Sequence, residues 1–231
     1  MSHNSVHIDI VSDIVCPWCW LGKQYLDAAI RDFHDSAVHI RWRPFQLDAG
    51  IPETGMDYKA YMHKKFGSGQ SDRFKQARLH LEEAGLKAGI HFRFSELTRR
   101  PHTRKAHLLL KWAQEKDKER PGIGHACAES LFRAFFDELK DIGETEILVG
   151  IADEVGMDGD LVRELLDTGR DVAAIEQEMA YFRRLGVTSV PTFIYNGTFA
   201  ISGGQPAKVH GQALKKALAT PPKDIMNVPG A

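Results

Sequence analysis

Val6, Ile8 and Ile10 alternate with His7 and Asp9, and Val11 extends the run. Alternation with period two predicts a half-buried strand. Leu21, Tyr25, Ala28 and Ala29 then recur at helical spacing within 20–33. Val38, Ile40 and Trp42 alternate with His39, Arg41 and Arg43, which predicts a second strand, and Pro44 stops it. Pro44, Gly50, Pro52 and Gly55 mark residues 44–56 as a loop.

The period then changes to that of helices. Segments 57–66 and 70–88 have helix-forming composition and charged faces, with a break at Gly67 to Gly69. Ala106, Leu109, Leu110 and Ala113 form one face of a helix over 102–118. Ala128, Leu131, Phe132, Phe135, Phe136 and Leu139 give 126–140 the strongest amphipathic pattern in the chain. Pro121 to Gly124 separates these two helices. Further helices are predicted over 144–155, over 161–166 with Asp158 or Asp160 as cap, and over 171–185. Period two returns at Pro191 to Tyr195 and Thr198 to Ile201, joined by the tight-turn pair Asn196-Gly197. Gly203-Gly204 breaks the second strand, a closing helix runs over 206–219, and a poorly packed tail is expected to follow.

The order is therefore strand–helix–strand, a block of helices, then strand–strand–helix. Neither outer piece holds a full sheet, so the two should assemble into one. This predicts an α/β protein in which 1–56 and 186–231 form one domain and 57–185 is a helical insertion. No repeat or low-complexity segment is visible.

Cys16-Pro17-Trp18-Cys19 lies between the first strand and the first helix. A helix N-terminus presents unpaired N–H groups and partial positive charge, which stabilise a thiolate, the reactive form of cysteine. A second cysteine one turn on can attack a mixed disulfide held by the first. Pro17 costs little in a first helical turn. The pattern points to Cys16 as nucleophile, the more exposed thiol, and Cys19 as resolving thiol. Half a zinc site is the competing reading, but it needs two more ligands. The one other cysteine, Cys127, stands far along the chain beside His125, without a second Cys-X-X-Cys. It lies by the apolar face of the strongest helix and is expected to be simply buried.

Composition narrows the class. The 231 residues are 43 % hydrophobic and 26 % charged, ordinary for a globular chain, and the net charge of −1 gives no field for nucleic acid. No apolar run approaches the roughly 20 residues of a membrane span. The N-terminus lacks a basic region followed by an apolar core, and three cysteines do not make a disulfide scaffold, so a cytoplasmic location is expected.

Several separated points carry a resemblance: Cys16-Pro17-Trp18-Cys19 with Gly22, Trp42 to Leu47, Ala106-His107, Val190-Pro191-Thr192-Phe193 and Gly203 to Pro206. In this order they resemble the DsbA-like branch of the thioredoxin superfamily. More narrowly they look like its FrnE-like cytosolic members, relatives of 2-hydroxychromene-2-carboxylate isomerases and kappa-class glutathione transferases. The resemblance covers roughly Val6 to Ala219. It implies a thioredoxin fold with a large α-helical insertion, and a cis Val190-Pro191 peptide facing the cysteines. It also implies that Pro17, Trp18, Val190 and Pro191 contact substrate, the Val190 backbone pairing with an extended peptide. Arg99, Arg100, Arg104 and Lys105, with His102 and His107, are open to two readings: an anion site for a glutathione carboxylate, or a solvated helix face. The second is favoured. Trp18 stands where periplasmic DsbA proteins carry His, which removes one stabiliser of the thiolate. The fold often holds a buried acid near the cysteines. Asp13 could be it, or a capping or solvent-facing residue.

The function expected is a thiol–disulfide oxidoreductase acting on protein or small-molecule disulfides. No metal and no cofactor beyond the cysteine pair is expected, glutathione being a possible co-substrate. Two alternatives stay open: a glutathione-dependent isomerase or transferase, whose relatives usually carry Ser at position 16, and a metal-binding or polypeptide-holding module.

Overall fold

The computed structural model describes residues 5–67 and 72–223. Gly69, residues 70–71 of the predicted helix and the tail from 224 lie outside the described residues. Strand β1 (Ser5–Ser12) leads into helix α1 (Pro17–Arg31) and strand β2 (Ala37–Pro44). β1 and β2 run parallel, Ser5 opposite Ala37 and Ser12 opposite Pro44. Parallel neighbours need a crossover, and α1 supplies it.

The second outer piece completes the sheet. Strands β5 (Thr192–Tyr195) and β6 (Phe199–Ser202) form a hairpin, and β5 pairs antiparallel with β1, Ile8 opposite Tyr195. The order is β2-β1-β5-β6. β1 is central, so Val6, Ile8, Ile10 and Val11 are all buried. Asn196 and Gly197 both have positive φ, the geometry of a tight hairpin turn. Asn196 has a further task. Its Oδ1 accepts from His7 N at 2.8 Å, and its Nδ2 donates to the carbonyls of Ala217 and Thr220. It thereby ties the turn to the end of helix α9 (Ala207–Leu218), which packs on α1.

Between these pieces lie α2 (Tyr58–Phe66), α3 (Asp72–Lys87), α4 (Arg104–Lys116), α5 (Ile123–Phe136), α6 (Thr145–Glu154), α7 (Gly159–Asp167) and α8 (Val172–Arg184). The architecture is a thioredoxin fold with a helical insertion. Asp158 caps α7, its side chain accepting from Leu161 N at 3.0 Å. α5 differs from the predicted 126–140: it starts at Ile123, and it stops at Phe136 because Leu139 takes a left-handed φ of 59°. Strands β3 (Met56–Asp57) and β4 (Arg99–Arg100) pair antiparallel at positions where no strand was expected. Two residues are too short for a period to register. Helices α4, α5 and α8 pack along β2, and α1 meets α3 and α5.

The α1–α5 contact fixes the helix that carries the cysteines. Trp20 stacks on Phe132 and Phe136, ring centroids 6.2 and 6.0 Å apart, and Phe92 meets it edge-on. Its indole N–H donates to Glu129 of α5 at 3.0 Å. Gln24 donates to the same carboxylate, and buried Lys23 lies 2.8 Å from both Glu129 and Asp27. Asp27 in turn meets His125 at 2.8 Å. A buried aromatic with a paired polar tip and an ion cluster together set the position of α1.

Candidate active site

Cys16 is the N-cap of α1, with extended backbone, and Pro17 occupies the first helical turn. The helix follows because Pro17 fixes φ where no N–H is required. The Cys16 carbonyl accepts from Cys19 N at 3.0 Å, which closes the first turn and brings the two side chains together. Both are free cysteines.

The two thiols have different surroundings. Cys19 is fully covered, and burial, followed by its contact with Cys16, pushes its thiol well above the usual range. Cys16 is the more exposed of the pair, but at 4 % it is not the open thiol that a helix tip suggests. The reason is the Val190 loop, which folds across the tip, so that Cys16 Sγ lies 3.6 Å from the Val190 carbonyl. The Val190-Pro191 peptide is cis. Pro191 is buried behind the loop, its ring 3.3 Å from where a Cβ on Gly22 would stand, and its carbonyl accepts from Gly203 N at 2.8 Å.

Cys16 opens onto a cleft of about 830 Å³. Pro17, Trp18 and Val190 line it on the cysteine side, and α2, α3 and the end of α5 supply the other wall. Three of the four residues expected to contact substrate thus border one cavity, and the fourth, Pro191, is outside its lining and lies against Gly22. Trp18 is held between His80 of α3, ring centroids 6.0 Å apart, and Gly204. A Cβ at position 204 would come within 3.2 Å of the Trp18 carbonyl, so the Gly203-Gly204 pair keeps that wall in place.

Asp13 is buried, one turn before Cys16, and its carbonyl accepts from Cys16 N at 3.0 Å. Its side chain neither caps the helix nor faces solvent. Oδ2 accepts from Leu47 N at 2.8 Å and lies 4.0 Å from Arg100; Oδ1 lies 3.6 Å from His107. Burial pushes this carboxyl up, but His107, Arg100 and the Leu47 amide outweigh that and hold it below the usual carboxylate range. Asp13 is a buried ionised group beside the cysteine turn.

The basic segment divides. Arg99 meets Asp141 and the Thr54 carbonyl, Arg104 meets Glu53 and Glu176, and Lys105 donates to Thr145. Those three, Arg99 on β4 and the other two in the first turn of α4, lie outside the cleft lining. His102 is half-buried and contacts Gln46, and His107 is buried on the Phe45 carbonyl at 3.0 Å. Only Arg100 of the four cations lines the cleft. Position 100 carried no sequence signal that set it apart from its neighbours. Cys127 is buried in α5, and burial raises its thiol far above the ordinary range. Among the described residues no cluster of three or more His, Cys, Asp or Glu is placed to hold a metal, and no helix is long and apolar enough to cross a membrane.

The family model of the DSBA-like thioredoxin domain matches residues 7–215. The uncharacterized protein YwbO of Bacillus subtilis is 31 % identical over 212 residues, covering 91 % of this chain and 96 % of that one. Among solved structures, a probable DsbA oxidoreductase of Streptomyces coelicolor superposes with a TM-score of 0.82 at 28 % identity, over 94 % of this chain and 93 % of that one. The cytosolic disulfide reductase DsbM of Pseudomonas aeruginosa with GSH shares the fold, with a TM-score of 0.60 at 19 % identity, over 92 % and 96 % of the two chains.

Proposed function

The chain belongs to the DSBA-like thioredoxin domain family, and on that premise we propose that it is a thiol–disulfide oxidoreductase with Cys16 as nucleophile and Cys19 as resolving thiol. The observation that carries this reading is the asymmetry of the pair. Cys16 caps α1 and borders the cleft, whereas Cys19 is sealed beneath it with its thiol held protonated by burial.

The reaction runs as two exchanges. The Cys16 thiolate attacks one sulfur of a substrate disulfide, forms a mixed disulfide and expels the other half as a thiolate. Cys19 then gives up its proton and attacks Cys16 Sγ. The Cys16–Cys19 disulfide forms and the second substrate thiolate leaves. Two electrons pass from the protein dithiol to the substrate. Run backwards, the same steps oxidise a dithiol. Val190, Pro17 and Trp18 border the space where the substrate lies, and a peptide segment would add along the Val190 backbone as a short strand.

The domain division falls near 56/57 and 185/186. The protein acts in the cytoplasm as a FrnE-like enzyme, on protein or peptide disulfides or on glutathione. The disulfide reductase with GSH named above gives that last point its support. A glutathione-dependent isomerase on this fold would leave Cys19 without a task.

Disulfide reduction measured against a Cys16→Ser protein, with titration of the cysteine pair in glutathione buffers, tests the reading. Turnover should vanish in the variant, and the pair should move between dithiol and disulfide as the buffer is changed. A pair that stays reduced under oxidant, or turnover that survives the substitution, would refute it.

A further inference from the structure

The cleft beside Cys16 has a chemical bias. Among the described residues its lining carries five cationic side chains, Lys59, Lys65, Lys75, Arg78 and Arg100, and no carboxylate. The neighbouring acids lie outside it: Asp48 pairs with Lys65 and Glu82 with Arg78. Phe66, 42 % exposed, meets Phe74 at a tilt of 38° with ring centroids 4.6 Å apart, and both line the cleft. An exposed aromatic beside cations suits a ligand that is apolar and anionic at once.

Arg100 is the distinctive member. Its side chain is 4 % exposed, yet its carboxylate neighbours stand off, Asp48 at 3.9 Å and Asp13 at 4.0 Å. Its other side-chain contacts among the described residues include a long hydrogen bond to the Pro101 carbonyl at 3.5 Å and the face of Tyr61, 4.9 Å from the ring centroid. Asp48 is already engaged, accepting from Tyr61 at 2.6 Å and from Lys65 at 2.5 Å. A buried guanidinium presents a planar fork of donors suited to bidentate recognition of a carboxylate. Among the described residues none makes a short charge-assisted bond of about 2.7–2.9 Å to Arg100.

We propose that the cleft selects disulfides carrying a carboxylate next to an apolar group, with Arg100 as the residue that reads the carboxylate. This rests on the oxidoreductase reading and names its substrate class. The carboxylate comes either from a free aromatic or aliphatic acid or from the acidic flank of a polypeptide cysteine. The reaction is the pair of exchanges given above: the cysteine dithiol becomes a disulfide and the substrate disulfide becomes two thiols.

Stopped-flow oxidation of the reduced protein tests this with three probes. Dithiobis-nitrobenzoate carries a carboxylate on each aromatic ring, dithiodipyridine is aromatic and uncharged, and cystamine carries ammonium groups. The quantity read is the rate with the anionic probe divided by the rate with the uncharged one, each corrected for its reaction with free cysteine, so that changes in Cys16 nucleophilicity cancel. The ratio should exceed one, cystamine should be slowest, and the ratio should fall as salt is raised. In Arg100→Gln it should fall about tenfold, the size of one hydrogen bond to a charged group. Lys59→Gln, an exposed change in the same lining, should lower it less. An Arg100→Gln ratio equal to the wild type's overturns the proposal. If that variant does not fold, a wild-type ratio that ignores salt and Lys59→Gln overturns it. Disulfide-linked peptide dimers with Phe and Glu beside the cysteine, compared with Phe and Lys, separate the two sources: preference for the Glu peptide places the carboxylate on a polypeptide, and equal rates place it on a small acid. Should dithiodipyridine itself fail to oxidise the pair, the oxidoreductase reading falls and takes this one with it.

Discussion

Cys16 and Cys19 stand three positions apart and meet opposite surroundings. One caps a helix at the edge of a cleft, and the other is sealed in the core. Replacing Cys19 by Ser should therefore leave attack intact and remove resolution. Asp13 beside them is a second residue-scale test. Its carboxyl is held below the usual range by His107 and Arg100 against the cost of burial. A depressed acid contributes stability above its unfolded value of about 3.9, and that contribution is lost as pH falls through the lower folded value. Asp13→Asn should thus lower stability by about 1–3 kcal/mol at neutral pH and by less at strongly acid pH. Denaturant midpoints at pH 7 and pH 3 check this; an equal loss at both would show that ionisation of Asp13 plays no part.

At the scale of elements, α1 is held from two sides. Trp20 packs it into the aromatic group of α5, and Trp20→Ala should cost about 3–5 kcal/mol, read from chemical denaturation. On the other side Gly22 gives room to Phe193 of β5, whose ring would stand 3.0 Å from an added Cβ. Gly22→Ala should destabilise by about 1–3 kcal/mol and slow turnover, because Pro191 lies at the same contact; unaltered stability would mean that β5 yields freely. Helix α9 adds a pH-dependent hold. His210 is buried, its Nδ1 2.6 Å from the Tyr195 hydroxyl, and burial lowers its pKa to about 4. The unfolded chain binds this proton near the ordinary value of about 6.5, so between that pH and 4 the unfolded state takes up more protons. Stability should decline through this window as pH falls, by up to about 3 kcal/mol from this group. His210→Gln should flatten that decline in melting experiments from pH 7 to pH 4, and an unchanged slope would assign it elsewhere.

For the whole molecule, the outer pieces and the helical middle were legible because their periods differ. Val6, Ile8 and Ile10 against His7 and Asp9 leave little room for a helix, and Ala128 to Leu139 leaves little for a strand. The placement of the cysteine turn at the start of α1 was equally plain, since four adjacent residues define it. What stayed hidden depends on contacts between distant segments. The Gln114 side chain pairs with both backbone groups of Trp42 on the edge strand β2, and no local pattern announces that. The covering of Cys16 by Val190 joins positions 174 residues apart. The choice of Arg100 over Arg99 and Arg104 is made by burial, which a run of like charges does not encode.

These contacts converge on one chemical claim, that Cys16 alone makes the first bond to substrate. Mass spectrometry of trapped mixed disulfides tests it most directly. Cys19→Ser protein incubated with an oxidised peptide should carry the peptide on Cys16, and Cys16→Ser protein should carry none on Cys19. Comparable adducts on Cys19 in the second variant, or no adduct on Cys16 in the first, would contradict the account.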